Sequence, residues 1–165
     1  MILFVSGLPG SGKSTVAAQA ASQLGWPFIE ADVFLTEDMK LQIAAGELLS
    51  QAQLDTWVLD NLVPELIARG ADGDVVSAGM LADARYVEAL SAAADVLYVN
   101  LVAPYEILAE RVSSREHFAG LSMLDACWNL REQLLLPGPT VAADRPLEQV
   151  VREVVSLAEA RRQHA

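Results

Sequence analysis

Residues 1–14 read MILFVSGLPGSGKS, and the junction inside this stretch decides the fold. Residues 2–6 form an apolar run that is too short for a helix and ends on Gly7. Such a run suits a strand buried on both faces of a parallel sheet. Residues 13–24 then set Val16, Ala17, Ala20 and Leu24 at helical spacing, and Gly25 with Pro27 stops the helix. Between strand and helix, Gly7-Leu8-Pro9-Gly10-Ser11-Gly12-Lys13-Ser14 satisfies GxxxxGK[ST] in the context that gives the pattern meaning.

The spacing has a physical cause. A polyphosphate needs many donors in a small volume, and glycine lets backbone N–H groups approach it without obstruction. The loop opens a helix whose first N–H groups lack partners and whose dipole favours negative charge. Gly7, Leu8, Pro9, Gly10, Ser11, Gly12, Lys13, Ser14 and Thr15 are therefore the expected nucleotide-binding residues. Lys13 serves the β- and γ-phosphates of ATP, and the Ser14 hydroxyl is the expected Mg²⁺ ligand.

Outward from this motif the alternation continues. Strands are expected at 26–30, 74–78, 96–101 and 140–143, with helices at 37–45, 50–69, 82–93, 104–113 and 146–163. This is an α/β chain of the P-loop NTPase type: a five-stranded parallel sheet with helices on both faces. At 165 residues it is one domain. Residues 115–135 carry no strand signal and are expected to form a small, mobile helical lid, and 33–69 a substrate-side helical segment. Gly7, Asp32, Gly79 and Val102 follow strands, where ligands of such sheets bind, and are expected to converge on one crevice.

Charge and composition narrow the partners. Eleven Lys and Arg against 22 Asp and Glu give a net charge of −11, which disfavours nucleic acid and anionic membranes. The chain shows neither a membrane-length apolar run nor a basic leader, so a cytoplasmic address is expected. The single cysteine, Cys127, reads as a small buried or half-buried helical residue. Arginine is concentrated late in the chain, which suits either a solvated surface or a bound polyanion.

What becomes of the terminal phosphate depends on other residues. Asp32, past the second strand, is the candidate base and acceptor-orienting group, with helix capping as its alternative. Glu30 ranks lower, because in a continuing strand it points the other way. Arg111 and Arg115 lie four apart at a helix end leading into the lid, Arg111 for the nucleotide and Arg115 as catalytic cation. Complementing the helix dipole is their alternative role. Gly79, Arg85 and Arg131 join Asp32 as candidate substrate contacts, and His117 stays ambiguous.

With these motifs in place the chain resembles the gluconate kinase family, P-loop sugar-acid kinases related to shikimate kinases and nucleoside monophosphate kinases. Asp32, Gly46-Glu47-Leu48-Leu49 through Trp57, Arg111, Arg115, His117-Phe118 and Asp144-Arg145-Pro146-Leu147-Glu148 carry the resemblance beyond the phosphate loop. It implies ATP-dependent phosphorylation of a small-molecule hydroxyl, a helical lid and a homodimer. The departures are specific. Gln51-Ala52-Gln53-Leu54 replaces an acidic run ending in arginine, and Ala78-Gly79-Met80-Leu81 replaces Ser-Ala-Leu-Lys. Thr36 and Gly120 stand where the family carries histidine and lysine. An acid's carboxylate needs a cationic partner, so the acceptor is expected to be a sugar acid or related small polar alcohol, not necessarily gluconate: a neutral or amine-bearing hydroxyl compound, or an acid held by Arg85 or Arg131. A nucleotide-binding protein without transfer activity, acting as a switch or assembly element, and a nucleoside monophosphate kinase are the alternative functions.

Overall fold

A computed structural model of the chain describes residues 1–114 and 118–164. Its centre is β1 (Ile2–Gly7), in which Ile2, Leu3, Phe4 and Val5 are fully buried. Alternation sends these side chains to opposite faces. Ile2 and Phe4 enter one core with Val58, Leu62, Leu66, Tyr86 and Leu90, while Leu3 and Val5 enter another with Val16, Ala20, Val151 and Val154.

The other strands are β2 (Phe28–Glu30), β3 (Val75–Gly79), β4 (Val96–Val102) and β5 (Thr140–Ala142). All pairs are parallel, in the order β2-β3-β1-β4-β5. The chain therefore crosses from one side of β1 to the other, and the crevice past the ends of β1, β3 and β4 is where such sheets bind ligands. Helices α1 (Lys13–Leu24) and α8 (Leu147–Gln163) cover one face. On the other lie α2 (Glu37–Ala44), α4 (Val63–Asp72) and α5 (Ala84–Ala93).

The helix expected over 50–69 begins at a capping box on Ser50 and runs as α3 (Gln51–Asp55), a π-helical stretch Thr56–Leu62, and α4. Trp57, Val58, Leu62 and Val63 are buried, two pairs five residues apart, which is the π repeat. After α6 (Tyr105–Ser113), the described part of the expected mobile lid holds a packed helix, α7 (Leu121–Trp128). Met123 and Cys127 are buried there with Ala119 and Leu134, against Leu8, Ile43 and Met80.

Asn100, 3% exposed on β4, ties down the segment that follows α7. Its Nδ2 donates to the Leu136 carbonyl at 2.9 Å and its Oδ1 accepts from the Leu136 N–H at 2.8 Å. Asn100→Ala strands both buried groups, so unfolding in urea is expected to show a loss of about 2–4 kcal/mol. An unchanged midpoint would refute this role for Asn100.

Candidate active site

The loop after β1 turns through two glycines in the left-handed region, Gly10 at φ +84° and Gly12 at φ +83°. Both dihedrals strain any L side chain, and a Cβ on Gly10 would also meet the Leu108 carbonyl oxygen at 2.5 Å. The turn delivers Lys13 to the first position of α1. Ser11 Oγ is buried in the loop without a hydrogen-bond partner, as a group awaiting an anion would be.

Two cavities meet at this loop. One, of about 500 Å³, is lined by Pro9, Gly12, Lys13, Ser14 and Thr15 together with Glu30 and Asp32. Its far wall is apolar, with Leu48, Leu54, Trp57, Met80 and Met123 among its residues. The other, of about 350 Å³, is lined by Gly10, Ser11, Gly12, Thr15, Arg111 and Arg145, among others. Gly12 and Thr15 belong to both, so the phosphate loop is the partition between them.

The two acids reach the larger cavity because β2 stops. At Glu30 the chain leaves extended geometry for a 3₁₀ turn, Ala31–Phe34, which ends the alternation that separates neighbouring side chains in a strand. Trp57 holds this turn by donating its Nε1–H to the Ala31 carbonyl at 2.8 Å. Asp32 does not act as a helix cap; Thr36 caps α2, accepting from the Met39 N–H at 3.2 Å.

Glu30, ranked below Asp32 from the sequence, is a full member of the site. Burial pushes its carboxyl above the usual range, and the charge of Asp32 adds to this, against the Ser14 hydroxyl and the Lys13 ammonium. Its Oε1 is buried without a partner. An orphaned carboxylate oxygen beside the Ser14 hydroxyl fits a hydrated divalent cation. Such a cation would be Mg²⁺-like in needing few protein ligands, since Mg²⁺ keeps waters and binds through one or two protein groups plus phosphates.

Other expected contacts lie elsewhere. Gly79 ends β3 against Ala31 and does not line the larger cavity. Arg85 is engaged by Asp55 and Asp83, each at 3.2 Å. Asp55 is held below the usual carboxylate range by hydrogen bonds from Gln51 and Tyr86, with Arg85 adding to them. Arg131 lies over the Trp128 ring, 4.7 Å from its centroid, and donates to the Trp128 carbonyl at 2.9 Å. It lines a third cavity of about 280 Å³ with Gly7, Val102 and Leu108. The single crevice expected from Gly7, Asp32, Gly79 and Val102 is thus divided, because α7 and the chain after it fill its middle. Arg115 and His117 lie outside the described residues. Sequence reasoning missed Cys127 as a pocket residue, since a buried helical position does not reveal which cavity it borders.

The AAA domain family matches residues 2–125. A mouse protein named "Probable gluconokinase" is 44% identical over 57 residues, 34% of this chain and 31% of that protein. Its namesake from Xenopus tropicalis is 27% identical over 174 residues, covering 93% of this chain and 91% of that one. The crystal structure of a gluconokinase from Sinorhizobium meliloti 1021 superposes with a TM-score of 0.80 at 26% identity, covering 99% of this chain and 96% of the other.

The buried carboxyl of Glu30 makes a pH-dependent prediction. A raised folded value means that its contribution to stability is full below the ordinary value of 4.5 and is lost as pH rises through the folded value. Glu30→Gln retains that contribution, so thermal unfolding of the nucleotide-free variant is expected to occur at higher temperature than wild type at pH 7. The difference should vanish below pH 4.5. Adding ADP with Mg²⁺ is expected to stabilise wild type more than the variant, and equal stabilisation would remove Glu30 from the cation site.

Proposed function

The chain belongs to the P-loop AAA domain family, and from that premise we propose that it is an ATP-dependent kinase acting on the hydroxyl of a sugar acid or related small alcohol. One observation carries the reading. The phosphate loop separates a cavity edged by two arginines from one that holds Asp32, Lys13 and Ser14 together. A nucleotide lying across the loop enters from one side and presents its terminal phosphate to an acceptor on the other. The gluconokinase relatives supply the reaction class, and the agreement over nearly the whole length of two of them supports it.

In this reading the nucleoside occupies the cavity of Arg111 and Arg145, whose planar guanidinium groups can stack on a base. The N–H groups of the loop and of the α1 N-terminus bind the phosphates, with Lys13 on the terminal pair. Ser14 would hold Mg²⁺, with the Glu30 carboxylate available to its hydration shell, and the ion would offset phosphate charge. Asp32 orients the acceptor hydroxyl and takes its proton while that oxygen bonds to the γ-phosphorus and the bond to the β-phosphate oxygen breaks. Arg115, outside the described residues, is assigned to the transferred group as its cation. Residues 115–135 form the lid, and the α7 contacts with α2 and the phosphate loop give closure a defined seat. No described helix is long and apolar enough to cross a membrane.

Asp32→Asn is expected to lower kcat by about 10²–10⁴-fold while ATP affinity changes little, measured by ADP release and calorimetry with the best acceptor of a panel that includes D-gluconate and shikimate. Lys13→Ala should lose affinity as well as rate. Unchanged turnover in Asp32→Asn would leave nucleotide binding without transfer as the better account.

A further inference from the structure

The larger cavity is unusual in what it offers an acceptor. Its polar lining gathers at the end formed by Lys13, Ser14, Thr15, Glu30 and Asp32, and beyond that, among the described residues, Gln133 carries the one amide head, with the Trp57 indole N–H already donated to Ala31 and Cys127 supplying a thiol. The remaining wall is built from Leu35, Ile43, Leu48, Leu49, Leu54 and Trp57, faced by Met80, Phe118 and Met123. Among the described residues Lys13 is the only cation in the lining, and it belongs to the phosphates.

A bound carboxylate needs charged or N–H partners, since leaving an ion unpaired in an apolar site costs several kcal/mol. Here it would face an apolar wall at one end and two carboxyl groups at the other. Among the described residues, the arginines that could serve it from nearby are committed. Arg85 is paired with Asp55 and Asp83, and Arg131 faces another cavity against Trp128. Leu54, at the position where the resemblance places an arginine, forms part of the wall. Leu81, at the position of the lysine, is buried in the core beside Phe4 and Tyr86. A polyhydroxylated chain fares little better, because one amide cannot satisfy several buried hydroxyls.

We infer that the acceptor is an uncharged alcohol whose hydroxyl sits between Asp32 and the phosphate loop and whose apolar body packs on the Leu48–Leu54–Trp57 wall. This rests on the kinase reading and narrows it away from sugar acids. The step is the same transfer: the hydroxyl oxygen gains the γ-phosphoryl group, its proton goes to Asp32, and ADP leaves.

The test uses twins that differ in one group, 4-methylbenzyl alcohol and 4-(hydroxymethyl)benzoate, with D-gluconate alongside. Initial rates of ADP release with Mg·ATP should favour the neutral twin over the carboxylate by about tenfold or more in kcat/KM. Leu54→Arg should move that ratio towards the carboxylate. Leu48→Arg, at a side chain that is 59% exposed and so places no charge in the core, should do the same if Leu54→Arg does not fold. Calorimetric binding of each twin in the presence of a non-hydrolysable ATP analogue separates the two levels of the argument. Tighter binding of the neutral twin without transfer supports the acceptor class and removes only the kinase reading. Equal or better use of gluconate or the benzoate overturns the acceptor class and leaves the kinase intact, and binding by neither twin overturns it as well.

Discussion

Everything else in this molecule is hung from a strand that water does not reach. Ile2 to Val5 are buried from both faces, and each neighbour in sequence belongs to a different core. Hydrophobic burial at about 25 cal/mol per Å² then acts twice on one segment, and a register slip of one residue would swap the two cores' side chains. Because β1 pairs β3 on one edge and β4 on the other, its end at Gly7 is fixed relative to every loop that lines the cavities. The phosphate loop can be rich in glycine because its two anchors are a strand buried on both faces and a helix packed against α8.

Much of this was legible in the sequence because the signals were periodic. The strand and helix assignments agree with the structure to within one or two residues at most ends, since two-sided burial and 3.6-residue spacing leave different patterns in a chain this apolar. The phosphate loop was legible for a different reason: its glycines answer to backbone geometry, which a motif records directly. Glu30 was under-read because the argument assumed a continuing strand, and a 3₁₀ turn one residue later brings its carboxyl to the site. Arg85 and Arg131 were read as candidate substrate contacts, with a plain surface role as the alternative. Their engagement by Asp55, Asp83 and Trp128 depends on tertiary neighbours that no local pattern announces. The lid segment was placed by its lack of strand signal, and within its described part Met123 and Cys127 are at helical spacing and pack inward.

The site carries its own thermodynamic cost. A carboxyl with one oxygen buried and unpartnered, next to a second carboxylate, opposes folding of the empty protein. The cores on either side offset that cost, in the way functional sites commonly break local rules that the rest of the fold obeys. The same juxtaposition makes the empty cavity polar at one end and apolar at the other, so a ligand entering it is oriented before any specific contact forms.

The π-helical stretch Thr56–Leu62 contributes Trp57 to the apolar cavity wall and joins α3, which carries Leu54 of that wall, to α4, whose Leu66 is buried in the core with Ile2 and Phe4. Deleting one residue there would restore an ordinary helix and turn α3 by about 100° relative to α4, carrying Leu54 off the cavity while leaving the sheet-facing Leu66 in place. Length changes of a single codon at this point are thus a route by which chains of this architecture could exchange one cavity wall for another without rebuilding the phosphate loop. Point substitutions can retune the wall; an insertion or deletion here replaces it.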